Sequence, residues 1–193
     1  MKTALLALLA LSVAQIARAV APVDLGAPSS STPYDAYMSP VKNVLHQLNG
    51  EENSMERVRE LMRIGRNFRY AFTNPYVASS PEKTAATRTG DCKDKALWLA
   101  NQLNDSNVRF VIGKARRSSK MSHAWLYWKD QNNRWWILDC TNLREPVAAD
   151  RVSSSEYIAF YSFSRQGTYR HGSTQLLAAQ GVAASVASQT NAR

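Results

Sequence analysis

Three residues far apart in the chain, Cys92, His123 and Asp139, are of the types that together make an activated nucleophile: a thiol, an imidazole and an orienting carboxylate. Cys92 lies in the stretch Thr87 to Leu103, TRTGDCKDKALWLANQL. Thr89-Gly90 turns the chain into a helix that Asp91 caps, and Asp94, three residues on, can reach back to the cap. Ala96, Leu99 and Leu103 follow Cys92 at i+4, i+7 and i+11, so they share one apolar face and the thiol points inward at the helix start. The partial positive charge of a helix N-terminus favours an anionic sulfur placed there. Asp91 and Asp94 oppose that effect, so a cationic partner is needed from elsewhere. Taken alone, Cys92 reads equally well as a small buried hydrophobe, the usual state of a free cysteine.

The partner is sought where the hydrophobic period changes from helical to alternating. Val108 to Arg116, Ser122 to Trp128 and Arg134 to Thr141 read as strands, the last two joined by the polar turn 129–133. A loop centred on Gln131 sets His123 directly opposite Asp139. Trp125, Tyr127, Trp135 and Ile137 then share their face, while Ala124, Leu126, Trp136, Leu138 and Cys140 take the other. Asp139 holds one ring nitrogen of His123 as N–H and leaves the second facing the helix start. On this register Cys140 faces away from Cys92. A Cys92–Cys140 disulfide and a zinc site using both cysteines with His123 are thereby disfavoured.

Other elements frame this core. A short helix is expected over Pro40 to Leu48. A second, capped by Ser54, carries Met55, Val58, Leu61 and Met62 inward and Arg57, Arg59, Arg63 and Arg66 to solvent. Phe68 to Phe72 is extended, Asn74-Pro75 breaks it, and Val77 to Thr89 is read as a loop. Glu156 to Ser164 alternates again and turns at 165–167 into Thr168 to Arg170. The expected fold is α+β, a central helix on an antiparallel sheet.

The 193 residues allow one domain with tails. Residues 1–21 read as a secretory signal peptide, with Lys2, the apolar run Ala4 to Ala14 and a small-x-small site at Ala17 to Ala19 or Ala19 to Ala21. Residues 22–50 form a linker with a short helix, 51–172 the domain and 173–193 a low-complexity tail. The expected location is therefore periplasmic or extracellular, with no integral membrane segment in the mature chain. The net charge of +9 falls to +7 once Lys2 and Arg18 are removed, the segment holding no acid. Anionic envelope polymers could exploit that charge, although a solvated basic surface accounts for it as well. There is no repeat and no Gly-rich phosphate loop, and no nucleic-acid partner is expected.

The segments GDCKDKALWLA, SHAWLYW and WWILDCTN, in that order, resemble the transglutaminase-like cysteine peptidase superfamily, over about Ser54 to Arg170. The resemblance implies a papain/transglutaminase-like fold and a catalytic triad. Cys92 would be the nucleophile, His123 the general base and then acid, and Asp139 the orienter. It also implies acyl transfer through a thioester on a protein or peptide substrate, with water giving a peptidase and a lysine amine a crosslinking transferase. Asn67, Tyr70 and Trp98 are candidates for a second oxyanion donor beside the Cys92 N–H. Some exported bacterial members hold calcium through acids flanking the cysteine. Lys93 stands here where those members carry an acid, so no metal and no cofactor is expected. The alternatives are a catalytically inactive domain serving as a binding or assembly module, and a disulfide-stapled structural protein.

Overall fold

The computed structural model describes residues 23–172; the expected signal peptide and the low-complexity tail lie outside them. Among the described residues, a layer of four α-helices lies on one side of a seven-stranded sheet. The helices are α1 (Ser39–Gln47), α2 (Met55–Arg66), α3 (Pro81–Thr87) and α4 (Cys92–Leu103). The strands of the large sheet are β1 (Ala27–Pro28), β4 (Val108–Arg116), β5 (His123–Lys129), β6 (Trp135–Leu138), β7 (Val147–Ala148), β8 (Glu156–Ser164) and β9 (Gly167–Arg170). Their spatial order is β1-β9-β8-β4-β5-β6-β7, with every pairing antiparallel. A second, parallel pair joins β2 (Arg69–Tyr70) to β3 (Thr89–Gly90), setting Tyr70 beside Gly90 just before the central helix. This is the expected α+β, papain/transglutaminase-like arrangement.

Alternation along the strands sorts the side chains into two cores. Ala124, Leu126, Trp128, Leu138 and Cys140 face the helices and pack with Leu97, Leu99 and Ala100 of α4 and with Val58, Leu61 and Met62 of α2. Val111, Trp125, Tyr127, Ile137 and Ala159 form a smaller cluster on the other face. α4 is the centre of the larger core: every residue from Cys92 to Ala100 is buried, not only the expected apolar stripe. Residues before α2 belong to the same body, since Met38, Val41 and Leu45 are buried in that core and β1 pairs with β9.

Three expectations need correction. The β5–β6 hairpin is shifted by two residues, with Leu126 opposite Leu138 and Tyr127 opposite Ile137. A two-residue shift preserves the faces, so the sorting of side chains stands although His123 and Asp139 are not directly opposed. Second, α4 covers the face that carries Cys140, not the one that carries His123. The Cys140 sulfur lies behind the helix, where a Cβ added to Gly65 would come within 2.8 Å of it and 2.7 Å of Trp98. Cys92 instead reaches His123 around the end of the sheet, because each is the first residue of its element. Both cysteines are free. Third, the loop expected from Val77 to Thr89 contains α3. Ser80 accepts the Lys83 N–H as N-cap, Pro81 occupies the first turn and Arg88 ends the helix at φ 48°.

Candidate active site

α4 begins on a reciprocal cap. The Asp91 carboxylate accepts the Lys93 N–H at 3.1 Å, and the Asp94 carboxylate accepts the Asp91 N–H at 3.1 Å. This fixes the first turn, and with it Cys92, which is 7% exposed on the wall of a cleft of about 780 Å³. Tyr70, His123, Asn142 and Tyr157 line the same cleft, and Arg116, Lys120 and Met121 form part of its rim.

His123 and Asp139 meet at the end of the hairpin, where His123 Nε2 lies 2.7 Å from Asp139 Oδ2. β6 ends at Leu138, and Asp139 turns the chain: its Oδ1 accepts the N–H groups of Thr141 at 2.8 Å and Asn142 at 3.2 Å. Its Oδ2 accepts two further donors, the Tyr157 hydroxyl at 2.8 Å and the Asn142 amide at 3.0 Å. Burial pulls the Asp139 carboxyl up, but the hydrogen bond and charge of His123, and then the Thr141 and Tyr157 donors, leave it below the ordinary carboxylate range. An ionised Asp139 requires a proton on Nε2, which leaves Nδ1 as the ring nitrogen available to Cys92. Burial lowers the imidazole pKa, but the hydrogen bond to Asp139, then that to Cys92, and the charges of both raise it to about 10. The structure therefore brings Cys92, His123 and Asp139 together, with the imidazole beside the carboxylate and in the same cleft as the sulfur.

Tyr70 is the member of the oxyanion trio that reaches the cleft, where it is half exposed. Its phenol is pushed up to about 12, first by burial and then by the charge of Cys92, so the hydroxyl remains a donor. Trp98 packs its ring 4.7 Å from that of Phe68 inside the helical core, and Asn67 ends α2.

Two further residues of the site, Asn142 and Tyr157, were not singled out from the sequence. Asn142 lies in the quoted WWILDCTN motif, where Asp139 and Asn142 are both turn-forming residue types. Tyr157 has no local signal. It arrives from β8, which shifts register on β4 between Ile112 and Gly113, and it adopts φ 46° in doing so. Gly113 sits opposite His123 and permits this approach: a Cβ there would lie 2.1 Å from the Ile158 carbonyl oxygen and 2.7 Å from Trp125.

The residues around the cysteine do not fit a bound calcium. Asp91 and Asp94 converge as the resemblance would require, but the ammonium of Lys93 lies between them, paired with Asp91 Oδ2 and 4.0 Å from Asp94 Oδ1. Among the described residues no group of three or more His, Cys, Asp or Glu side chains is arranged to hold a metal ion.

A cysteine opening a central helix, packed on an antiparallel sheet whose end carries histidine and aspartate, defines a papain-like α+β class. The chain belongs to the transglutaminase-like superfamily, whose family model matches residues 42–140. Among solved structures it is similar to Legionella pneumophila LapG in its calcium-bound form, with 16% identity and a TM-score of 0.52 over 72% of this chain and 80% of that one. The EGTA-treated form matches with 16% identity and a TM-score of 0.52, over 73% and 77%. A third LapG structure matches with 15% identity and a TM-score of 0.50, over 78% and 86%. At such identities the likeness is one of fold. No curated protein matches the chain in sequence.

Proposed function

We propose that this chain is a thiol-dependent acyl-transfer enzyme with Cys92 as nucleophile, His123 as acid and base, and Asp139 as orienter. The observation that carries the reading is the His123 imidazole, 2.7 Å from the buried Asp139 carboxylate and lining one open cleft with Cys92. In the first half-reaction the Cys92 Sγ attacks an amide carbonyl carbon. The carbonyl oxygen takes the negative charge, which the backbone N–H of Cys92 stabilises together with the hydroxyl of Tyr70, a residue of the same cleft. As the tetrahedral intermediate collapses, the C–N bond breaks, the proton on His123 Nδ1 passes to the leaving amine, and a thioester remains on Cys92. In the second half-reaction neutral His123 takes a proton from water or from a primary amine. That nucleophile attacks the thioester carbonyl, the C–S bond breaks, and the Cys92 sulfur is re-formed beside the recharged imidazolium. Asp139 keeps Nε2 protonated throughout and so aims Nδ1 at the sulfur.

Among the described residues no helix is long and apolar enough to cross a membrane. The short apolar start of the sequence supports an exported enzyme, periplasmic or extracellular, acting on proteins or peptides of the envelope. The test is turnover of amide and ester libraries with and without a primary amine, combined with mass mapping of iodoacetamide adducts. The expected result is amide or ester cleavage with rapid labelling of Cys92. An unreactive Cys92 with no turnover would instead identify a binding module.

A further inference from the structure

Lys93 is fully buried at the second position of α4. An ammonium out of contact with water is costly unless its charge is met, and here four groups meet it. Its Nζ pairs with Asp91 Oδ2, lies 4.0 Å from Asp94 Oδ1, donates to Thr73 Oγ1 at 2.6 Å and sits 5.3 Å from the centre of the Tyr76 ring. Two of these partners belong to the first turn of α4 and two to the loop that follows β2. The carboxylates also hold that loop directly. Asp91 Oδ2 accepts the Thr73 N–H and hydroxyl, each at 3.2 Å, and Asp94 Oδ1 accepts the Ser79 N–H at 2.8 Å. Without the ammonium, two buried carboxylates would lie side by side at the start of the helix that carries Cys92, opposed only by neutral donors.

The oxygens that converge on this cation, two from carboxylates and one from a hydroxyl, are the hard donors that ordinarily collect around a divalent ion. We propose that Lys93 is a tethered substitute for such an ion. The ammonium, supplied by the residue next to Cys92, binds the 73–79 loop to the start of α4 and so holds Tyr70, just ahead of that loop, as one wall of the cleft. The cleft is thereby assembled without a divalent cation and is indifferent to chelators. Lys93 is a positioning residue, acting through Asp91 and Thr73; only the link to Tyr70 and catalysis rests on the function proposed above.

The experiment compares wild type with Lys93→Asp in EGTA and in millimolar calcium chloride, reading the thermal midpoint and the rate of Cys92 alkylation. Wild type is expected to show the same midpoint and the same rate in both. Lys93→Asp, which replaces the cation by a third carboxylate, is expected to have a lower midpoint and slower alkylation in EGTA, and to regain several degrees and most of the rate with calcium. A third arm uses Thr73→Val, which removes the loop's end of the bridge and buries no new charge. It is expected to speed tryptic cleavage at Arg69 and Lys83 several-fold under native conditions, and this result stands even where Lys93→Asp does not fold. A wild type that calcium stabilises, a folded Lys93→Asp that calcium does not move, or a Thr73→Val cleaved no faster than wild type would each overturn the proposal. Absence of amide turnover in wild type would instead count against the function proposed above and leave these readouts as they are.

Discussion

The sheet carries two hydroxyl-or-thiol, imidazole and carboxylate constellations, and they have opposite character. At one end stand Cys92, His123 and Asp139. Towards the other, Ser162 Oγ lies 2.8 Å from His171 Nε2, while His171 Nδ1 is 3.0 Å from the Asp24 carbonyl oxygen and 3.7 Å from its carboxylate. The order of groups is similar, but the wet and dry ends are exchanged. Ser162 is fully buried in β8, whereas Asp24 is half exposed and spends its carboxylate on the N–H groups of Gly26 and Gly172. The His171 beside it, together with those donors, holds the Asp24 carboxyl at about 2. At the first site the acid is sealed and saturated, and the sulfur is the atom at the cleft. A nucleophile needs an orienting acid shielded from water and an attacking atom within reach of substrate. His171 has neither, and it serves as a latch between the N-terminal segment and the end of β9.

The largest effect that would break this contrast is loss of the sulfur. Cys92→Ala is expected to abolish acyl transfer while the thermal midpoint changes little, and His123→Ala to be nearly as damaging; residual thioester chemistry in Cys92→Ala would show the nucleophile misassigned. Asp139→Asn keeps the shape of the orienter but not its charge, and should lower kcat by ~10²–10⁴, by analogy with serine triads. Tyr157→Phe deletes one donor to that carboxylate. A hydrogen bond to a charged group is worth roughly 1.5–3 kcal/mol, so kcat should fall by about 10- to 10²-fold, with KM unchanged. Ser162→Ala is the counterpart at the sealed site. It should leave kcat/KM intact and cost about 1–2 kcal/mol in denaturant melts, a cost a structural latch would show and a second active site would not.

The sequence was most legible where chemistry and period coincide. The capped start of α4, the strand limits of β4 and β8, and the parity that separates the His123 face from the Cys140 face all follow from local residue types. The hairpin register was not local: period two fixes parity, and the choice between registers two residues apart rests on how the turn at 130–134 is hydrogen-bonded. The side of the sheet that α4 covers was not local either, since alternation says which residues share a side but not which side the helix takes. α3 was missed although Ser80-Pro81-Glu82 is a helix-start signature, because its seven residues carry too short an apolar pattern to register. Tyr157 could not be read at all, as it depends on a register shift between β4 and β8.

The central claim is that His123 holds its proton between the Cys92 sulfur and the Asp139 carboxylate, and an NMR titration of the His123 imidazole tests it most directly. Its pKa is raised from the ordinary 6.5 to about 10 in the folded protein. The stability this contributes is therefore fully present below about pH 6.5 and is lost as pH rises through about 10. The account predicts that His123 stays protonated through neutral pH and releases its proton near 10, and that Cys92→Ala and Asp139→Asn each move this midpoint down. A His123 that titrates near 6.5, unmoved by either substitution, would contradict it.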